Sequence, residues 1–139
     1  MIVYLETSAL LRRLLKQPKP ISHWEGWTKA YTSEITRAEA LRIIEGLRRR
    51  GKMTDAEVAE SVQGLDRILR KLSVIHLNSF ILNRAGQAFP TVIGTLDAIH
   101  LSSALLCQEH QQKELTFLTH DPQIGRAAHA LGLKALGFH

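Results

Sequence analysis

Hydrophobic and polar positions along the chain follow two periods, one typical of buried strands and the other typical of helices. Short apolar runs predict strands, and apolar positions that recur every three or four residues predict helices between them. The strands are predicted at residues 2–5, 31–33, 73–77, 115–119 and 133–136. The helices are predicted to start at Thr7 or Ser8, Thr36, Thr54, Asn78 or Ser79, Asp97 and Asp121. In residues 21–31, two tryptophans three positions apart favour only one helical turn.

Strands that alternate with helices predict an α/β fold with a parallel sheet. The chain has 139 residues, the usual size of one domain, and we expect a single domain over residues 1–139. Ligands of such sheets bind beyond the carboxyl ends of the strands. Polar residues that follow the predicted strands are therefore the first candidates for function.

The composition is ordinary for a globular protein, with 45% hydrophobic and 22% charged residues. The lone cysteine, Cys107, lies in an apolar run, and we expect a small buried hydrophobe in a reducing compartment. No apolar stretch has the length of a transmembrane helix, and the first residues are not typical of a secretory signal peptide. These features predict a soluble, cytoplasmic protein that does not act at a membrane.

Positive charge is concentrated in three clusters, and the formal net charge is +5. The clusters comprise Arg12, Arg13, Lys16 and Lys19; Arg42, Arg48, Arg49, Arg50 and Lys52; and Arg67, Arg70 and Lys71. Clustered positive charge suits a phosphate backbone or an acidic partner. A solvated surface with no such partner would have the same composition, so charge alone leaves both interpretations open.

Four acidic residues occupy positions at which a catalytic or metal site is expected. Glu6 and Asp121 follow predicted strands, and Glu39 and Asp97 lie at the starts of predicted helices. Each also has a structural interpretation, since aspartates cap helices and Glu39 completes a capping-box pattern with Thr36. Glu6 fits such an interpretation least, because glutamate is not a favoured N-cap. A carboxylate at the end of a buried strand is also costly unless a group pairs with it.

Carboxylates that converge in one partly buried place repel one another, and a cation is then expected to compensate. A donor set made only of oxygen atoms suits Mg²⁺ or Mn²⁺, which activate water for attack on phosphate. His76, His100 and His120 show no metal-ligand spacing and are expected to be structural, although His120 adjoins Asp121 and could contact a substrate. An acidic metal pocket within a basic surface is the layout expected for cutting a nucleic acid.

The stretches around the four acids resemble the PIN-domain family, and in particular the VapC-type ribonuclease toxins of bacterial toxin–antitoxin systems. The resemblance rests on residues 2–10, 36–42, 96–104 and 118–121, together with the closing segment 127–133. The third of these, Leu-Asp-Ala-Ile-His-Leu-Ser-Ser-Ala, is the most specific. In order and spacing the matching stretches cover essentially the whole chain.

The resemblance implies a PIN-like three-layer α/β/α domain with a central parallel sheet and a Mg²⁺- or Mn²⁺-dependent endoribonuclease activity. It implies that the substrate is RNA (tRNA, rRNA or mRNA), that a cognate antitoxin protein holds the enzyme inactive, and that the chain forms a homodimer. By resemblance, the metal-binding and catalytic acids are Glu6, Glu39, Asp97 and Asp121, and the residues that position water or phosphate are Ser8 and Thr119.

One departure from the family pattern keeps a second function open. The first acid of the family is normally aspartate, whereas Glu6 places its carboxylate one methylene farther from the backbone. Small misplacements weaken catalysis, so a catalytically weakened PIN-like module that binds RNA or protein is the alternative. A receiver-like phosphoacceptor domain also places acids and Mg²⁺ at strand ends. It fits less well, because no suitable lysine lies on a late strand and the basic surface would have no role.

Overall fold

The structure, a computed structural model, describes residues 1–21, 24 and 26–138. The strands are β1 Ile2–Leu5, β2 Lys29–Ser33, β3 Ser73–Ile75, β4 Leu115–Leu118 and β5 Lys134–Leu136. The helices are α1 Thr7–Leu14, α2 Ile35–Arg49, α3 Asp55–Arg70, α4 Ser79–Ala85, α5 Thr95–Gln111 and α6 Pro122–Ala130. Among these helices there is none with the length and apolar character that crossing a membrane requires.

The strands form one sheet in the order β3-β2-β1-β4-β5, and every pairing in it is parallel. The central strand, β1, pairs with β2 on one side and with β4 on the other. Val3 lies opposite Ala30 of β2 and Thr116 of β4. The chain moves outward from β1 to β3 on one side, then returns to β4 and continues to β5 on the other. The predicted parallel sheet is confirmed, and the strand order reverses between β1 and β4.

Helices cover both faces of the sheet because side chains alternate along β1. Tyr4 belongs to a buried cluster with Leu101 of α5 and Ile124 of α6. Val3 and Leu5 face the other way and share a cluster with residues of α1 and β4. A third cluster joins α1, α2 and α3 on that second side. This arrangement confirms the three-layer α/β/α architecture.

Two predicted N-cap residues are wrong, and both errors concern the candidate acids. Helix α1 is capped by Glu6, not by Thr7 or Ser8. Helix α2 begins at Ile35 after Glu34, because the Thr36 hydroxyl is buried and hydrogen-bonded to another threonine at 2.8 Å, and so does not cap the helix. The capping box predicted for Thr36 and Glu39 is therefore absent, which frees Glu39 for other contacts.

The remaining boundaries differ by a few residues. Helix α5 begins at Thr95 with Gly94 as its N-cap, so Asp97 is its third residue and not its cap. The capping box predicted at Thr54 and Glu57 is confirmed. Strand β2 starts earlier than predicted, and β3, β4, β5 and α4 are shorter. The helical turn expected around the tryptophans falls partly on residues 22, 23 and 25, which lie outside the described residues.

Cys107 is partly buried against the core between the sheet and α5, not fully buried as expected. Burial raises the pKa of its thiol to about 11, against a smaller opposing effect of Lys29. The thiol is therefore protonated near neutral pH, where the thiolate is the nucleophilic form. The expectation that Cys107 is a small hydrophobe and not a nucleophile agrees with this environment.

Candidate active site

The candidate site lies at the carboxyl ends of β1 and β4, where the strand order reverses. In open parallel sheets this crevice is the usual place for a ligand. Glu6 follows β1 directly, and Thr119 and Asp121 follow β4. A cleft of about 520 Å³ opens at this edge, and its lining includes Glu6, Ser8, Glu39, His120 and Asp121. The fold thus brings three of the four predicted acids, which are distant in sequence, to one cleft.

Glu6 is a buried N-cap, which the sequence analysis did not expect of a glutamate. The residue is only 5% exposed, and its Oε2 atom accepts hydrogen bonds from the backbone N–H of Ser8 at 2.9 Å and from Thr119 Oγ1 at 3.0 Å. The Ser8 hydroxyl donates a third bond to the same oxygen. Burial raises the pKa of Glu6, and the neighbouring His100 and these hydrogen bonds offset only part of that effect.

Ser8 and Thr119 connect Glu6 to the loop after β4. The Ser8 hydroxyl accepts from the backbone N–H of His120 at 2.8 Å, and the Thr119 hydroxyl accepts from the backbone N–H of Asp121 at 3.0 Å. The two hydroxyl oxygens lie 3.2 Å apart. Thr119 is completely buried. Both residues therefore hold the acidic residues in place, and only Ser8 lines the cleft.

Asp121 has the structural role that its position before a proline indicated. It caps α6, and its Oδ1 atom accepts from the backbone N–H groups of Gln123 at 2.8 Å and Ile124 at 3.3 Å. The other carboxylate oxygen, Oδ2, takes part in neither bond. Because the cap fixes the side chain, Asp121 presents a carboxylate of defined orientation to the cleft.

Glu39 is held by two side chains from other elements. Its Oε1 atom accepts from Thr7 Oγ1 at 2.6 Å and lies 2.5 Å from Nε2 of His100, which is fully buried. Burial by itself would raise the pKa of Glu39, but the hydrogen bonds from His100 and Thr7 outweigh it, and the pKa is lowered. Glu39 is therefore ionised near neutral pH, and Oε2 is in neither hydrogen bond.

A common pattern links these three carboxylates. Each is held through a single oxygen: Oε2 of Glu6, Oε1 of Glu39 and Oδ1 of Asp121. The second oxygen of each has no part in the hydrogen bonds that hold the group. Carboxylates that bind metals are commonly oriented by hydrogen bonds in this way. The cleft thus has carboxylate oxygens that are positioned by the fold and available to a ligand.

Asp97 approaches the same group of acids from the first turn of α5. As the third residue of the helix, it accepts a hydrogen bond from the backbone N–H of Gly94, the N-cap residue, which has no side chain of its own to offer. Burial and, next, the negative charge of Asp121 raise the pKa of Asp97, and Glu39 adds to the effect. The charge of Asp97 is therefore coupled to the charges of Asp121 and Glu39, which both line the cleft.

The chemistry of this donor set fits Mg²⁺ or Mn²⁺. The donors at the cleft are carboxylate oxygens, and after burial the negative charge of Asp121 is the main cause that raises the pKa of Asp97. Within residues 1–21, 24 and 26–138, no three His, Cys, Asp or Glu side chains stand close enough to surround a metal. Mg²⁺ usually needs only one or two carboxylates, since it keeps waters and binds substrate phosphate. Asp97 and Asp121, with Glu39 beside them, meet that requirement.

The sequence analysis does not identify two side chains that lie next to the acids. It predicts only a structural role for His100 and places Tyr4 only in a strand. Both are fully buried, and His100 contacts Glu39 directly. The available signal was that His100 lies one helical turn after Asp97 in an otherwise apolar helix, and residues three apart share a helix face.

Positive charge also reaches the cleft. Arg12 lines it, and the Arg12 guanidinium donates to the carbonyl of Pro18 at 2.8 Å. Lys16 and Lys19, in the segment that this bond ties down, have φ angles of 52° and 56°. A left-handed backbone is uncommon for lysine and is often retained near functional sites. Arg12 of the first basic cluster therefore borders the acidic cleft.

Comparisons with known proteins agree with this architecture. The family model of the PIN domain matches residues 3–130. VapBC2 from Rickettsia felis, solved with a DNA fragment from its promoter, is 17% identical, with 100% of both chains covered and a TM-score of 0.70. FitAcB from Neisseria gonorrhoeae is 19% identical, with 100% of this chain and 97% of that chain covered and a TM-score of 0.67. PAE2754 from Pyrobaculum aerophilum is 16% identical, with 97% and 83% covered and a TM-score of 0.62.

At these identities the solved structures show a shared fold. Comparison with curated proteins finds no significant match. The match to the PIN domain spans most of the chain, from within β1 to the end of α6, and includes all four acids at the carboxyl edge of the sheet. The chain therefore belongs to the PIN domain family.

Proposed function

We propose that the protein is a metal-dependent endoribonuclease and the toxin of a toxin–antitoxin pair. The observation that carries the proposal is the set of carboxylates at the cleft, each held through one oxygen, with Asp97 beside them and Arg12 in the same lining. PIN domains are generally nucleases. An acidic pocket bordered by basic side chains suits a polyanionic substrate, because the cations bind phosphates.

The acids divide into two roles in this proposal. Asp97 and Asp121 would hold Mg²⁺ or Mn²⁺, and Glu39 beside them would hold a water of the ion. The ion would supply charge stabilisation at the phosphate and make water more acidic. Glu6 lines the cleft with a pKa raised by burial, and its Oε1 atom is outside the hydrogen bonds that hold it. A glutamate with a raised pKa is suited to take a proton from attacking water. Arg12 is placed to bind a phosphate group.

A cognate antitoxin is the partner that best fits this family. Two similar structures are described as a VapBC2 complex with promoter DNA and as FitAB bound to a DNA fragment. By analogy with them, we propose that this chain is held inactive by an antitoxin protein that reaches the acidic cleft. We also propose a homodimer, an RNA substrate and a cytoplasmic location for the enzyme, within a single domain over residues 1–139.

Glu6 favours a second candidate, a PIN-like module that binds RNA or protein without cutting. One oxygen of its buried carboxyl group is committed to capping α1. A group engaged in this way is less available to a cation than an exposed aspartate. In this case RNA binding would persist and weaken with salt, whereas binding of Mn²⁺ would be weak.

The two candidates separate in a cleavage experiment on total RNA and a labelled tRNA pool. Purified protein, freed of any copurified partner, is incubated with Mg²⁺, with Mn²⁺ or with EDTA. The test variant is Asp97→Asn, and the matched control is Glu57→Gln. Glu57 is also the third residue of its helix and also accepts from the N-cap N–H, but it is exposed and belongs to α3.

Discrete, metal-dependent fragments from wild-type protein and from Glu57→Gln, but not from Asp97→Asn, are the expected result. The control loses the same charge at an equivalent helix position, so a difference between the variants belongs to the cleft. Cleavage that persists in purified, folded Asp97→Asn protein would refute the proposed site. A folded wild type that binds RNA and leaves it intact with either metal would favour the binding module.

A further inference from the structure

A buried chain of hydrogen bonds runs from the centre of the sheet to Glu39. The Tyr4 hydroxyl lies 2.7 Å from Nδ1 of His100, and Nε2 of His100 lies 2.5 Å from Glu39 Oε1. Thr7 Oγ1 lies 3.2 Å from the same Nε2 atom and donates to the same Glu39 oxygen. Tyr4 and His100 have no exposed surface. The chain of bonds is thus shielded from water except at its Glu39 end, which lines the cleft.

Chemistry at the two ends determines where the protons lie. A carboxylate oxygen accepts hydrogen bonds and cannot donate them, so the 2.5 Å contact with Glu39 Oε1 requires a hydrogen on Nε2 of His100. The phenol of Tyr4 has an O–H donor 2.7 Å from Nδ1 of His100, so it can donate to that nitrogen. A neutral imidazole with hydrogen on Nε2 satisfies both contacts. The alternative tautomer would place a lone pair against the carboxylate.

Packing makes this arrangement rigid. The Tyr4 ring stacks on Phe117 of β4 with a centroid distance of 5.4 Å and an interplanar angle of 4°. The His100 ring meets Tyr4 edge-on at 5.8 Å. Aromatic contacts of these kinds restrict ring rotation in a close-packed interior. The imidazole is consequently fixed in position, with each ring nitrogen held beside its hydrogen-bond partner.

We propose that Tyr4 and His100 are positioning residues that fix the Glu39 carboxylate, with Tyr4 donating to Nδ1 of His100 and Nε2–H of His100 donating to Glu39 Oε1. His100 takes one oxygen of Glu39 and leaves Oε2 for the cleft. The consequence for catalysis rests on the proposed function, since it assumes that Glu39 serves the metal. The positioning of the Glu39 carboxylate by His100 does not itself require a bound metal.

The first test is nitrogen NMR of the histidine side chains in metal-free protein, with the His100 signals assigned through His100→Gln. The expected signature is a single tautomer with hydrogen on Nε2 and none on Nδ1. In Tyr4→Phe, which removes only the hydroxyl, Nδ1 loses its donor and its resonance moves. Hydrogen on Nδ1 in the wild type, or no response to Tyr4→Phe, would overturn the assignment.

The second test compares Mn²⁺ affinity and RNA cleavage in three variants. His100→Leu keeps a similar volume but removes the donor, whereas His100→Gln retains an amide N–H that can reach Glu39. Leu101→Met is the packing control, because Leu101 is equally buried on the next position of α5. Groups that orient metal ligands typically account for about 10–100-fold in affinity or activity. We expect a loss in that range for His100→Leu, recovery in His100→Gln and no change in Leu101→Met.

The outcomes distinguish this inference from the proposed function. If wild-type protein neither binds Mn²⁺ nor cuts RNA, the proposed function fails, and crystal structures of the metal-free variants then decide the positioning role. Glu39 should move away from its wild-type rotamer in His100→Leu and keep it in His100→Gln. Folded His100→Leu protein with an unmoved Glu39 and unchanged affinity would refute the inference. If His100→Leu does not fold, Tyr4→Phe and His100→Gln still test the positioning role.

Discussion

Thr119 donates a hydrogen bond of 3.0 Å to Oε2 of Glu6, although the two residues lie 113 positions apart in the chain. The bond joins the residue after β1 to the residue after β4, across the point at which the strand order reverses. It places a buried carboxylate at the base of the cleft, where that carboxylate also accepts from the N–H of Ser8 and caps α1. The same contacts that begin α1 therefore help to build the candidate active site.

Removal of this carboxylate should destabilise the fold more than removal of an exposed cap. Loss of an N-cap typically costs about 1 kcal/mol, and a buried hydrogen-bonding group left without its partner adds about 1–3 kcal/mol. The burial cost that raises the pKa of Glu6 offsets part of this loss at neutral pH, so we expect Glu6→Ala to lower the free energy of unfolding by roughly 2 kcal/mol. The control Thr54→Ala, at the exposed capping box of α3, should cost about 1 kcal/mol. Urea unfolding of both variants measures the difference. Equal losses would mean that the buried contacts of Glu6 contribute little.

Asp97 should reduce the stability of the metal-free protein. Burial and the charge of Asp121 raise the pKa of Asp97 above its ordinary value of 3.8, so ionisation of this group costs stability as the pH rises through the raised value. Asp97→Asn retains an oxygen that can accept from Gly94. We expect this variant to be more stable than wild type at neutral pH in EDTA, with the gain shrinking as the pH falls toward 3.8.

Urea unfolding at several pH values in EDTA checks this expectation. A gain of the same size at every pH would point to a cause other than charge. Saturating Mg²⁺ should reverse the order at neutral pH, because a ligand stabilises the folded state to which it binds. Wild-type stability that does not respond to Mg²⁺ would count against the metal site.

A second pH dependence comes from Glu34, which joins the ends of β2 and β3. Its carboxylate accepts from the backbone N–H of Leu77 and lies 3.4 Å from His76 Nδ1. The Leu77 bond and then His76 lower the pKa of Glu34 below 4.5. The stability contributed by this group is therefore full above pH 4.5 and is lost as the pH falls through the lower folded value.

Glu34→Ala should accordingly be less stable than wild type at pH 7, and the two proteins should converge in acid. Urea midpoints between pH 3 and pH 7 provide the measurement. Glu60→Ala, at an exposed position of α3, is a suitable control for loss of a surface carboxylate. A Glu34→Ala deficit that persists unchanged in acid would show that the lost interaction does not depend on the charge.

The sheet and its layers could be predicted because they depend on the periodic pattern of apolar residues, which is visible in the sequence. Strand β1 is fully buried at Val3, Tyr4 and Leu5, and helix α5 is apolar over most of its length. The parallel order follows from helices that alternate with strands. The same topology brings residues after β1 and after β4 to one edge of the sheet. It therefore predicts Glu6 and Asp121 as candidate site residues without knowledge of their contacts.

The hydrogen bonds within the site could not be predicted, because they depend on tertiary neighbours. Thr36 and Glu39 have the spacing of a capping box, yet Thr36 is buried against a strand and Glu39 binds His100 from another helix. Local sequence also disfavours Glu6 as a cap, whereas the direct step from β1 into α1 leaves the Ser8 N–H facing its carboxylate. Long-range packing overrides local preference at both positions.

The central claim is that the acidic cleft holds a divalent cation in the working enzyme. Anomalous scattering from crystals soaked in Mn²⁺ tests it most directly, because the signal both detects and locates the ion. We predict a peak in contact with the carboxylates of Asp97 and Asp121, absent from crystals of Asp97→Asn. Saturating Mn²⁺ that leaves the cleft of the folded wild type without a peak, or a peak unaffected by Asp97→Asn, would contradict the account.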